Sequence, residues 1–146
     1  MPPVDPDRVS ALREQVAAIE KARDEKLAAA AAAVELRMLE EKVKLGELEA
    51  KHGLVGRDIL PVFSPKTGAM VVVKTPEPVQ FQKFQRKVIA DKLDLPDVEE
   101  LIRSCLVYPA KSDFQVICDE APGMLSSVVN AVTALNGAAE SDAASK

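Results

Sequence analysis

The chain has 146 residues, a formal charge of −4, one histidine, no Trp, one Tyr and four Phe, with 47% of its residues apolar. Such a length fits one domain with an appendage, and the acidic balance argues against a nucleic-acid-binding surface. A lone histidine with no nucleophile or carboxylate constellation beside it, and a sequence without a glycine-rich phosphate loop, a His/Cys ligand spacing or a serine elbow, point away from catalysis, metals and cofactors.

The chain opens on MPPVDPDR, too polar for a signal peptide, and no apolar run approaches the ~18 residues of a membrane span, so a cytoplasmic protein is expected. Residues 6–52 then read as one helix. Asp5 suits the N-cap and Pro6 the first helical position, where its missing N–H costs nothing. Glu40 with Lys44, and Glu47 with Lys51, are i,i+4 pairs in the favourable order. Gly53 can close the helix in the left-handed conformation with Leu54 folding back on Leu48, and the lone histidine, His52, sits where its charge favours a helix C-terminus.

A helix of that length extends ~70 Å, more than this chain alone can bury. Val9, Leu12, Val16 and Ile19 follow coiled-coil spacing, and so do Leu36, Leu39 and Val43, but the two stripes are out of phase by three residues across the alanine-rich stretch Lys26 to Ala33. The spacing predicts contact with another helix, from a second copy or a client; a partly exposed helix held by alanine propensity is the plainer alternative. Gly46 is the expected place for any hinge.

Ile59 to Ser64 and Ala69 to Thr75 are strand-like runs around Ser-Pro-Lys-Thr-Gly, which is turn chemistry. Pro61 confines the first run to a sheet edge. A lone hairpin is marginal in water, so it must pack on the helices or be extended by a strand from another molecule. After Thr75-Pro76 a helix is expected to about Lys92, with Phe81, Phe84 and Val88 on one face and Lys83, Arg86 and Lys87 on a solvated one. Asp94 and Asp97 form an approximate capping box for a helix through Val98, Leu101, Ile102, Cys105 and Leu106, stopped at Tyr108 by Pro109. Ser112 and Gln115 suggest a further capping box ahead of Phe114, Ile117 and Cys118. Pro122-Gly123 opens a last helix carrying Leu125, Val128, Val129, Val132 and Leu135, closed by Gly137.

Cys105 and Cys118 fall on apolar faces and read as buried thiols. The expected fold is mainly α: a helical arm over 1–56, a β-hairpin and a small bundle of about four helices over 57–137, and a disordered tail over 138–146. Charge is uneven, with 7 basic and 3 acidic residues over 57–93 against 3 and 9 over 94–146. That asymmetry favours self-association or an oriented partner, or is a solvated surface with no such role.

From about residue 71 to 137 the chain resembles the tail assembly chaperones of long-tailed bacteriophages. The stretches VVVKTPEPVQFQKFQRKV, LIRSCLVYP and FQVICDEAPGMLSSVVNAVTALNG carry the resemblance through their order of strand, Thr-Pro step, helix, Tyr-Pro step, short helix, Pro-Gly step and final helix. Under half the chain is covered, each motif is only helix punctuation, and the arm has no counterpart. The resemblance implies a chaperone, working in the host cell cytoplasm, that binds the tape-measure protein and keeps that long helical chain soluble until tube subunits polymerise around it. It also implies a binding surface including Phe81, Phe84, Tyr108, Phe114 and Leu125, together with the arm residues Leu36, Leu39 and Val43; for each of these, core packing is the alternative. A structural or scaffolding phage protein with a permanent coiled coil, and a bacterial adaptor, are the competing readings. A homo-oligomer is expected, with neither nucleic acid nor membrane as partner.

Overall fold

The computed structural model describes residues 3–144. Its elements run α1 (Pro6–His52), β1 (Ile59–Phe63), β2 (Met70–Lys74), α2 (Pro78–Ile89), α3 (Leu95–Cys105), β3 (Leu106–Tyr108), α4 (Lys111–Glu120) and α5 (Met124–Ala144). The protein is mainly helical, with the long first helix where the sequence places it, a small antiparallel sheet, and four further helices. No described helix is long and apolar enough to cross a membrane.

The arm is a single unbroken α-helix through Gly46. Asp5 caps it by accepting from the Asp7 N–H at 3.0 Å, and Lys51 and His52 occupy its last turn. Its far end differs from expectation. Gly53 has φ 118° and ψ −173°, not the left-handed helical conformation, and Leu54 is exposed instead of folding back. The Gly53 N–H donates to the Glu49 carbonyl at 3.1 Å, and side chains hold the chain that follows: Asp58 accepts the Leu54 N–H at 2.9 Å and Glu49 the Val55 N–H at 3.0 Å. Lys44 pairs with Glu47 at 3.3 Å.

The hairpin forms in register, Phe63 opposite Met70 and Ile59 opposite Lys74, with Pro61 on an edge strand as its missing N–H requires. A third strand extends it from within the same chain. Leu106–Tyr108, expected as the end of a helix, instead pairs antiparallel with β2, so that β2 is the central strand. The amphipathic pattern that ran through Cys105 and Leu106 is helical only as far as Cys105. Beyond it, the β-favouring Leu-Val-Tyr run finds a free strand edge, and pairing there satisfies backbone groups that another helical turn would have exposed.

Alternation along β2 divides the core in two. Val71 and Val73, with Ala69, join Phe81, Leu101, Ile102, Cys105 and the buried face of α5. Met70 and Val72 face the other way, against Leu48 of α1 and Ile59, with Leu45, Phe63, Val107 and Tyr108 packed around them. The register shift between Val72 and Val73 lets Leu106 face one layer while Val107 and Tyr108 face the other. The sheet is therefore sandwiched between α1 and the remaining helices.

Boundaries elsewhere moved. Helix α2 starts at Pro78 behind Glu77, not at Thr75-Pro76, and ends at Ile89; Val88 is exposed. The Asp94/Asp97 capping box is complete, each side chain accepting the other residue's N–H, and Asp97 also pairs with Lys87. Lys87 raises and Asp97 lowers its pKa chiefly through that hydrogen bond. The second expected capping box does not form: α4 begins behind Ala110 without a side-chain cap. Helix α5 runs on through Gly137, where the sequence placed its end and a disordered tail, as far as Ala144; residues 145–146 of that tail lie outside the described residues. An internal glycine costs only ~1 kcal/mol of helix propensity, and the alanines that follow favour continuation. Cys105 is buried, whereas Cys118 is only partly so.

The tip of the hairpin touches the arm at Gly68. Its φ is +80°, and a Cβ there would overlap the Val34 carbonyl oxygen and crowd Arg37 and Met38. Gly68→Ala should therefore destabilise the fold by about 1–3 kcal/mol, combining backbone strain with a clash against main chain that cannot rotate away. Urea unfolding checks this; a loss below ~0.5 kcal/mol would mean that the hairpin tip does not rest on α1.

Candidate partner-binding surface

Helix α1 meets the sheet along Val34, Met38, Glu41, Leu45 and Leu48, the positions in its C-terminal third that bear on the body and include its one buried residue, Leu48. Steps of four, three, four and three residues keep these on one face at 100° per residue. Continuing toward the N-terminus on the same face, in steps of three or four, gives Ala30, Leu27, Arg23, Ile19, Val16, Leu12 and Val9. The N-terminal stripe is thus the same face that covers the sheet, prolonged beyond the point where any sheet lies beneath it. Ile19 is 67% exposed, Leu27 58%, Val16 52% and Leu12 50%.

Leu36, Leu39 and Val43 lie on the opposite side, about 180° around the helix, and all three are exposed, Val43 at 71%. The sequence shows both arm stripes, but it hides which one engages the body. Val34, Met38, Leu45 and Leu48 carry the right spacing, interrupted by Glu41, whose carboxylate breaks the apolar pattern to the eye.

The remaining expected contact residues separate into two places. Phe81 is 5% exposed and belongs to the core, its ring centroid 6.2 Å from that of Phe84. Phe84, Phe114 and Leu125 are partly buried and pack against the same core. Tyr108 sits across the sheet from them, against α1. The eight residues therefore do not form one continuous surface, and the exposed ones among them, Leu36, Leu39 and Val43, are all on the arm.

Tyr108 also marks the junction of arm and body. Its hydroxyl donates to Glu41 Oε1 at 3.3 Å, and Arg37 Nε lies 3.8 Å from the same oxygen. Glu41 Oε2 is buried and accepts no hydrogen bond among the described residues. A cavity of about 180 Å³ opens here between α1, β3 and α4, with Asp113 and Glu120 on its far wall. On the opposite side of the sheet, burial raises the Cys105 thiol, and it raises that of Cys118 as well, which keeps both protonated and poorly nucleophilic. Among the described residues no group of three His, Cys, Asp or Glu side chains stands together to hold a metal ion.

Burial, followed by the neighbouring Glu41 carboxylate, raises the Tyr108 pKa. A folded value above the unfolded one of about 10 means that this group's contribution to stability is complete below pH ~10 and is lost as pH rises through the folded value. As the chain has one tyrosine and no tryptophan, its phenolate absorbance reads this site alone. The ionisation midpoint should lie above the ordinary tyrosine value and fall in Glu41→Gln without reaching it, since burial persists; an ordinary midpoint in the native protein would contradict the arm–body junction described.

No protein-family model matches this chain, and no curated protein or solved structure is detectably similar to it.

Proposed function

We propose that this chain is a tail assembly chaperone of a long-tailed bacteriophage, which holds a helical client, the tape-measure protein, against the exposed apolar stripe of its arm. The observation that supports this reading most is the continuity of that stripe. One helix face seals the sheet at Leu45 and Leu48, then extends past it with Leu12, Val16, Ile19 and Leu27 exposed to water. Apolar side chains exposed along one line of a helix are stabilised by being covered, and a second helix laid along that line does so with modest affinity per turn.

Modest affinity suits a holder that must release. Many copies along a long client would keep its apolar stripe covered, and polymerising tube subunits would displace them one at a time. The body, with its core closed around β2, carries the arm. The residues resembling the chaperone family, 71–137, lie in this body.

A second reading is favoured by one observation. The helix is unbroken over 47 residues, with stripe steps averaging near 3.5, which suits a permanent coiled coil in a scaffolding or structural phage protein. Finished particles would then retain the chain, whereas a chaperone would be absent from them.

The test is co-expression with the tape-measure protein of the same genome. The chain should raise the soluble yield of that client and co-purify with it. The variant Leu12→Asp/Ile19→Asp should lose both effects while circular dichroism shows the body still folded, because neither side chain belongs to the core. If the parent chain gave no co-purification and no gain in client solubility, the chaperone reading would end.

A further inference from the structure

We infer that, in the absence of a client, the arms of two copies of this chain pair antiparallel over residues 6–29, each covering the apolar stripe of the other. This deepens the proposed function, since it assigns an occupant to the same surface when no client is bound.

Sterics select the direction. The stripe and the sheet occupy the same face of α1, the sheet at Val34 to Leu48 and the free stripe before it. In a parallel pair, a second helix following the stripe past residue 33 would run into the space that the sheet fills, and its own sheet would meet the first helix in the same place. Parallel pairing would also set Arg23 against its counterpart in the middle of the stripe, two like charges without an intervening partner. An antiparallel neighbour avoids both conflicts.

Length and charge then fix the register. With Val16 opposite Ile19 of the second copy, and Ile19 opposite Val16, Leu12 lies against the aliphatic stem of Arg23. The N-cap Asp5 ends each helix opposite residue 30 of the other, about one turn before Val34. Residues 6–29, about 36 Å of helix, therefore face helix of the other copy, residues 30–33 lie just beyond its N-terminus, and each body lies beyond the tip of the other arm.

Along one flank of the stripe stand Arg13, Glu20 and Asp24. Two-fold symmetry makes this flank face its own copy, and the same register puts Arg13 between Glu20 and Asp24 of the second copy, twice per dimer. On the other flank Arg8 approaches Lys26 of the second copy. These two stand about as far from the stripe as Arg13 does; their long side chains extend the charged ends into water, and the two acidic partners of each Arg13 outnumber this one like-charge approach.

The test is sedimentation equilibrium of the full chain across a wide concentration range. The expected mass approaches twice the 15.7 kDa of the chain. Arg13→Glu should weaken the dimer roughly tenfold, as should Glu20→Arg/Asp24→Arg, each placing like charges at two symmetric positions. Combining all three substitutions should restore the parent affinity, a rescue that pairing through any other surface would not give. Leu12→Asp/Ile19→Asp should sediment as monomer, with circular dichroism confirming that the body remains folded.

A parent chain that is monomeric throughout would overturn the inference, and so would a dimer indifferent to the charge exchange. A monomer that still solubilises the client would sink this inference and leave the chaperone reading standing. A charge-sensitive dimer that never binds the client would do the opposite.

Discussion

Four consecutive side chains of β2, Met70 to Val73, have no access to water. A β-strand sends alternate side chains to opposite faces, so such a run can be buried only if both faces of its sheet are covered. Most of the architecture answers that requirement. Helices α2, α3 and α5 supply one cover, and the C-terminal third of α1 supplies the other. The flanking strands complete the sheet by pairing both backbone edges of β2.

The two covers differ in kind. On the side of α2 to α5 the apolar layer is broad, and the large aliphatic side chains of α3 and α5 interlock with Val71 and Val73. On the α1 side it is narrow, a single helix line of which only Leu48 is buried. A polar group enters this narrower contact, Glu41 accepting from the Tyr108 hydroxyl, with its other carboxylate oxygen buried and without a donor among the described residues. A buried acceptor without a donor costs stability, which makes this junction the less tightly sealed of the two layers. The close approach of Gly68 to the Val34 backbone offsets some of that looseness by fixing the hairpin tip against the arm.

Because α1 is straight and continuous, the face it turns toward the sheet is the face it presents to water farther on. This coupling is geometric. A helix that seals a core with one stripe and then extends beyond the core displays the prolongation of the same stripe, and only a kink or a phase change would turn it aside. The alanine-rich stretch after Lys26 introduces neither. Alanine sustains the helix without adding bulk, so it transmits the orientation set by Leu45 and Leu48 toward Val9.

Local chemistry in the sequence was enough to determine the arm from Pro6 to His52, the hairpin with Pro61 at an edge, and the Asp94/Asp97 cap, because each depends on residues within one or two turns of one another. Leu106–Tyr108 needed the tertiary structure: the same side chains suit a last helical turn or a short strand, and the open edge of β2, more than thirty residues earlier, decides between them. Tertiary packing alone also decided which arm stripe meets the body. Leu36, Leu39 and Val43 look as apolar in sequence as the line from Val34 to Leu48, and the choice rests on where the hairpin lies across α1. The same long-range packing moved Phe81 from a candidate contact residue into the core, while the exposed stripe from Leu12 to Ile19 was legible in the spacing of its residues, and its continuation through Leu27 was not.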